Sequence, residues 1–100
     1  MTEIDAILLV VEDEPITRTQ LAGHFQREGY TVLTRENADH VEETIKEQKV
    51  DICLVDINLP GKDGLTLTRE IRSRSDVGII LVTGKNEQID RIVGLESGAD

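Results

Sequence analysis

The sequence is poor in the residues that build several common kinds of site. It has one cysteine, two histidines, two prolines, two aromatic residues and no tryptophan in 100 residues. A single cysteine excludes an internal disulfide, and the chain reads as one suited to a reducing cytoplasm. Two histidines and one cysteine without ligand spacing leave little for a zinc centre. Two aromatics argue against a base-stacking nucleic-acid surface. Basic residues are outnumbered, 11 Lys and Arg against 20 Asp and Glu, for a net charge of −9. That charge disfavours direct contact with DNA, RNA or an anionic membrane. No apolar run approaches the roughly 20 residues of a membrane span, and the opening Met1-Thr2-Glu3-Ile4-Asp5 lacks the basic start of a secretory signal.

What is present is aliphatic. There are 11 Ile, 10 Leu and 9 Val, enough for the core of one small domain and too much for a disordered segment. Three short runs, Ala6–Val11, Ile52–Val55 and Gly78–Val82, read as strands buried on both faces, the pattern of a parallel sheet covered by helices. Tyr30–Thr34 alternates more and reads as a strand nearer the sheet edge. Four helices are expected between and after them. Pro15 opens the first, with Ile16, Leu21, Ala22 and Phe25 on one face and Gly29 as the stop. Asn37 caps the second, which carries Val41 and Ile45. Gly64 opens the third, with Leu67 and Ile71. Asn86 caps the fourth, with Ile89, Ile92, Val93 and Glu96 at helical spacing; Gly94 weakens it by about 1 kcal/mol and Gly98 ends it. The alternation predicts an α/β three-layer sandwich with right-handed crossovers. Ser97-Gly98-Ala99-Asp100 reads as the approach to another strand, so 1–100 is expected to be one domain incomplete at its C-terminus.

Chemistry in open parallel sheets collects at the carboxyl ends of the strands. Glu12, Asp13 and Glu14 follow the first strand, Asp56, Ile57 and Asn58 the third, and Thr83 and Gly84 the fourth. With the first and third strands adjacent, Glu12, Asp13 and Asp56 meet in one pocket, where their charges repel by an amount on the order of several kcal/mol. Either protons or a hard cation must relieve that repulsion, and an oxygen-only donor set suits Mg²⁺. A magnesium ion there points to phosphoryl chemistry, with Asp56, at the end of the central strand, as a carboxylate nucleophile forming an acyl phosphate. Thr83 offers a hydroxyl to a phosphoryl oxygen. Cys53, mid-strand, reads as a small core residue. His24 and His40 read as surface residues, and Arg69, Glu70, Arg72 and Arg74 as a solvated helix face. Pro60-Gly61 and Asp63-Gly64 are turn signals.

Val10-Val11-Glu12-Asp13-Glu14-Pro15, Leu54-Val55-Asp56-Ile57-Asn58-Leu59-Pro60-Gly61-Lys62-Asp63-Gly64, Ile80-Leu81-Val82-Thr83-Gly84 and Gly98-Ala99-Asp100 together resemble the receiver domain of two-component response regulators. The Asp56–Pro60 and Asp90–Glu96 segments look most like the TorR/ArcA branch of the OmpR-type regulators. The resemblance implies a flavodoxin-like doubly wound parallel sheet of order 2-1-3-4-5, here stopping before the fifth strand and helix. It implies that Asp56 accepts a phosphoryl group from a phosphohistidine of a sensor histidine kinase or its phosphotransfer domain. Asp13 would bind Mg²⁺ directly, Glu12 mostly through water and Asn58 through its backbone carbonyl, with Asp56 completing the set, and Thr83 would be the switch hydroxyl. It further implies a cytoplasmic signalling phosphoacceptor that takes part in its own phosphoryl transfer and dephosphorylation, pairs as a homodimer on activation, and reaches DNA only through a separate output domain. The resemblance also implies a lysine at the end of the fifth strand and an aromatic switch residue on it, both expected beyond residue 100; neither Lys62 nor Lys85 matches the lysine's position.

The sequence leaves two other functions open. An aspartyl-nucleophile phosphatase or phosphotransferase would need a general acid where Asn58 stands. A phosphate-independent interaction module would have no use for the clustered acids. Nucleotide binding is disfavoured because no Gly-x-Gly-x-x-Gly follows a strand.

Overall fold

The computed structural model describes residues 6–82 and, as backbone alone, 92–93. In that range β1 (Ile7–Val11), α1 (Pro15–Arg27), β2 (Thr31–Arg35), α2 (Val41–Gln48), β3 (Ile52–Asp56), α3 (Gly64–Arg72), β4 (Gly78–Val82) and β5 (Ile92–Val93) follow one another. The sheet order is β2-β1-β3-β4-β5. The first four strands are mutually parallel, in the flavodoxin-like order expected. β2 is the edge strand anticipated from its mixed pattern, with both terminal residues exposed.

Strand geometry sends alternate side chains to opposite faces, and the sequence loads both. Leu9, Val11, Cys53, Val55, Ile79 and Leu81 meet Val41 and Ile45 of α2 and Leu67 and Ile71 of α3 on one face. Leu8, Val10 and Leu54 meet Leu21 of α1 on the other, with Phe25 and Tyr30 packed against them. Phe25 and Tyr30 stack edge to face, ring centroids 5.8 Å apart. The apolar runs are therefore continuous because each strand supplies two cores at once.

Several expectations need correction. Ile16 is 68% exposed and does not share the face of Leu21; five residues on a helix turn through about 140° beyond a full circle, which carries Ile16 away from the core. Asn37 does not cap α2. Its carboxamide accepts the Asp39 N–H at 2.8 Å in a local turn, and His40 occupies the cap position with φ +63° and no side-chain cap bond. Ile92 and Val93 are not helical. They pair antiparallel with Val82 and Leu81, because two β-branched residues in succession suit an open strand edge better than a helix. This two-residue strand is not the parallel fifth strand that the resemblance implies. The rest of the expected fourth helix, with Gly94, and Thr83 lie outside the described residues. Arg72 and Arg74 are more than a solvated face: Arg72 Nη1 donates to the Val77 carbonyl and Arg74 Nη1 reaches Glu42 Oε1 of α2 at 2.9 Å.

Candidate functional site at the carboxyl ends of β1 and β3

β1 ends at Val11, and the chain must leave the sheet and enter α1 within three residues. Glu12 still holds the sheet, its N–H donating to the Arg35 carbonyl of β2 at 3.0 Å. Its own carboxylate Oε2 accepts the Glu14 N–H at 3.1 Å. Glu14 then caps α1, its Oε1 accepting from the N–H groups of Ile16 at 3.2 Å and Thr17 at 3.4 Å, with Pro15 in the first turn where its missing N–H costs nothing. This tight turn leaves Glu12 buried and Asp13 exposed.

β3 lies directly beside β1, with Val11 opposite Val55, so Asp56, the last residue of β3, comes up next to Glu12. One carboxylate oxygen from each of Glu12, Asp13 and Asp56 lies within 4.8 Å of the others. The predicted meeting of the three acids is thus what the fold produces. Glu12 and Asp56 are each only 6% exposed. Burial, the neighbouring charges of Asp56 and Asp13, and a hydrogen bond shared with Asp56 push the Glu12 carboxyl up to about 7, against the pull of the Glu14 N–H. Three carboxylates with no lysine or arginine ion-paired to them among the described residues form a strongly negative pocket that a divalent cation would neutralise. The donor set is all oxygen, so the residues present fit Mg²⁺ and not a soft metal.

The loop after Asp56 fixes the carboxylate. Asp56 Oδ1 accepts the Asn58 N–H at 3.1 Å, Ile57 N–H donates to the Val82 carbonyl at 3.1 Å, and the Ile57 carbonyl accepts the Gly64 N–H at 2.8 Å. Gly64 sits so close under this loop that a Cβ would overlap the Asp56 carbonyl oxygen and stand 2.8 Å from Ile57 Cα. Asp63 caps α3, its Oδ1 accepting the Thr66 N–H at 2.8 Å, and Gly61, at φ +76°, makes the turn between. The turn signals therefore serve to press α3 against the end of β3. The Asn58 side chain is exposed.

Two residues that matter here were not singled out as site residues from the sequence. Gly64 reads as a helix start and as a turn signal beside Asp56, and the close approach itself is a tertiary contact that leaves no local pattern. Arg18, on the first turn of α1, donates from Nη1 to the carbonyls of Glu12 at 2.9 Å and Asp13 at 3.3 Å; a side-chain contact to carbonyls five and six residues back follows no helical spacing rule and leaves no signal in the sequence. Cys53 is a buried core residue as expected, its thiol pushed up to about 12 by burial. A groove of about 590 Å³ between α2 and α3, lined by Glu42, Ile45, Val50, Ile71, Arg74 and Val77 among others, shares none of the clustered acids. No helix among the described residues is long and apolar enough to cross a membrane.

Comparison with known proteins identifies the family. The profile of the response regulator receiver domain matches residues 8–100. The chain is 56% identical over 98 residues to the transcriptional regulatory protein AruR of Pseudomonas aeruginosa, covering 93% of this chain and 40% of AruR. It is 54% identical over 93 residues to the TorCAD operon transcriptional regulatory protein TorR of Escherichia coli K12, again covering 93% of this chain and 40% of the relative. The chain thus spans about two fifths of the length of these curated relatives. The crystal structure of the response regulator TrrA from Thermotoga maritima, in complex with Mg²⁺ and a beryllofluoride, superposes with a TM-score of 0.76 at 34% identity over 95% of this chain and 82% of that one. With the acid cluster at the sheet's carboxyl edge and a receiver profile over nearly its whole length, the chain belongs to the response regulator receiver domain family, beside the TorR-type transcriptional regulators.

Proposed function

We propose that this receiver domain is a phosphoacceptor switch, in which Asp56 takes a phosphoryl group from a phosphohistidine of a sensor kinase or phosphotransfer domain. The observation that carries the reading is the convergence of Glu12, Asp13 and Asp56 within 4.8 Å at the end of the central strands. These carboxylates would hold Mg²⁺, whose charge would offset the repulsion between them and an incoming phosphoryl group. Asp13 and Asp56, with Glu12 and the Asn58 backbone carbonyl, are its proposed ligands. The Asn58 N–H at Oδ1 fixes the rotation of the Asp56 carboxylate. A carboxylate oxygen of Asp56 then attacks phosphorus, the bond from phosphorus to the imidazole nitrogen breaks, and the imidazole leaves with the electron pair, giving an acyl phosphate. Water attack on the same phosphorus would release phosphate and restore the carboxylate, so the domain also takes part in its own dephosphorylation.

Phosphorylation adds charge and acceptor oxygens beside the end of β4. Thr83, which directly follows Val82, is the proposed hydroxyl that closes on them, and Val82 is already tied to the Asp56 loop through Ile57 N–H. By analogy with TorR and AruR, whose names mark them as transcriptional regulators, the switched output is transcription through a separate DNA-binding domain, with receiver homodimerisation on activation, in the cytoplasm. The test is incubation of the purified chain with Mg²⁺ and acetyl phosphate, read by intact mass. Wild type gains one phosphoryl group and Asp56→Ala gains none; an adduct that persists in Asp56→Ala overturns the assignment.

A further inference from the structure

The acidic turn after β1 is held from behind by one cation. Past the end of a strand, backbone carbonyls lose their ladder partners and need others. Here the carbonyls of Glu12 and Asp13 converge on the same atom, Arg18 Nη1, at 2.9 and 3.3 Å. Arg18 is itself anchored by the first turn of α1, its N–H donating to the Glu14 carbonyl at 2.8 Å. The side of the turn toward the acids is tied separately, by Glu14 N–H to Glu12 Oε2. The guanidinium thus brings a full positive charge behind the Glu12-Asp13 pair while bonding the backbone. An arginine bonded to the carboxylates would compete with a cation for the same oxygens; one bonded to the carbonyls leaves those oxygens available.

We infer that Arg18 is a positioning residue for the divalent-cation site, clamping the Glu12-Asp13 backbone so that both carboxylates are set before the ion arrives. The inference rests on the magnesium reading above. Groups that orient metal ligands from behind carry a large share of affinity, and the carbonyl clamp plays that part through the backbone.

The test uses Arg18→Met, which keeps the packing of the stem and removes both hydrogen bonds, and Arg18→Lys, which keeps a cationic donor. Two readouts are taken on the ¹⁵N-labelled chain. Amide exchange of Asp13 and Glu14 is measured in metal-free protein, and Mg²⁺ affinity is measured from amide shifts on titration with the metal alone. Arg18→Met exchanges faster at Asp13 and Glu14 with β3 and β4 unchanged, and binds Mg²⁺ roughly tenfold more weakly, the lower end for such supporting groups. Arg18→Lys recovers part of both. Wild-type affinity together with wild-type exchange in Arg18→Met overturns the inference. A wild-type chain that shows no Mg²⁺ response overturns the magnesium reading instead, and metal-free exchange then decides the clamp alone: faster exchange in Arg18→Met sustains it and unchanged exchange removes it.

Discussion

Identical side-chain chemistries behave differently in this molecule according to where the backbone leaves them. Glu12 and Asp13 are neighbours in sequence, yet one is buried and one exposed, and the buried one is pushed up to about 7. His40 shows the opposite case, an exposed group governed by a partner. Its Nδ1 lies 2.7 Å from Glu43 Oε1, and that hydrogen bond and charge, with a smaller push from Asp39 against Arg35, raise the imidazole above its ordinary value. A raised folded-state value means the pair contributes stability that is fully present below the unfolded value near 6.5 and is lost as pH rises through the folded one. An NMR titration of His40 should therefore show a midpoint above that of a free histidine, returning toward it in Glu43→Gln; a midpoint unchanged by Glu43→Gln would contradict the pairing. The sequence showed His40 as a surface residue and no more, because neither its left-handed backbone nor its contact with Glu43 has a signature that one residue type announces.

At the scale of elements, the site is made by how closely two pieces of chain approach each other. The N-terminus of α3 lies under the loop after Asp56, and only Gly64 permits it, since the atoms a Cβ would meet are backbone and cannot step aside. Gly64→Ala should destabilise the domain by about 1–3 kcal/mol in denaturant unfolding, the usual cost of overpacking, and slow phosphorylation of Asp56; wild-type stability would show that the approach is looser than described. The helices were legible where apolar spacing repeats at four, as with Val41 and Ile45 or Leu67 and Ile71, which all reach the core. The sequence pattern misleads where the spacing slips, as with Ile16, or where a cap depends on loop geometry, as with Asn37 and His40. Ile92 and Val93 fit helical spacing on paper, but an unpaired edge on β4 gave two β-branched residues another place to bond.

In the whole molecule, one topological fact converts an acidic sequence into a site. Placing β1 between β2 and β3 brings residues more than forty positions apart onto one edge of the sheet. That juxtaposition was legible because short two-sided apolar runs imply parallel strands, and parallel strands concentrate chemistry at their carboxyl ends. What was not legible was the support behind it, the Arg18 clamp and the Gly64 contact, which depend on three-dimensional packing. On the proposed function, these three carboxylates are held together against their own repulsion so that one divalent ion can bind. The most direct measurement is the melting temperature of wild type and Asp13→Asn with and without Mg²⁺ at neutral pH. Wild type should melt higher as Mg²⁺ is added, because the ion binds only the folded chain, whereas Asp13→Asn should melt higher than wild type without metal, one repulsive charge having been removed, and gain little from Mg²⁺. A wild-type melting temperature indifferent to Mg²⁺, or an Asp13→Asn variant that responds as wild type does, would contradict it.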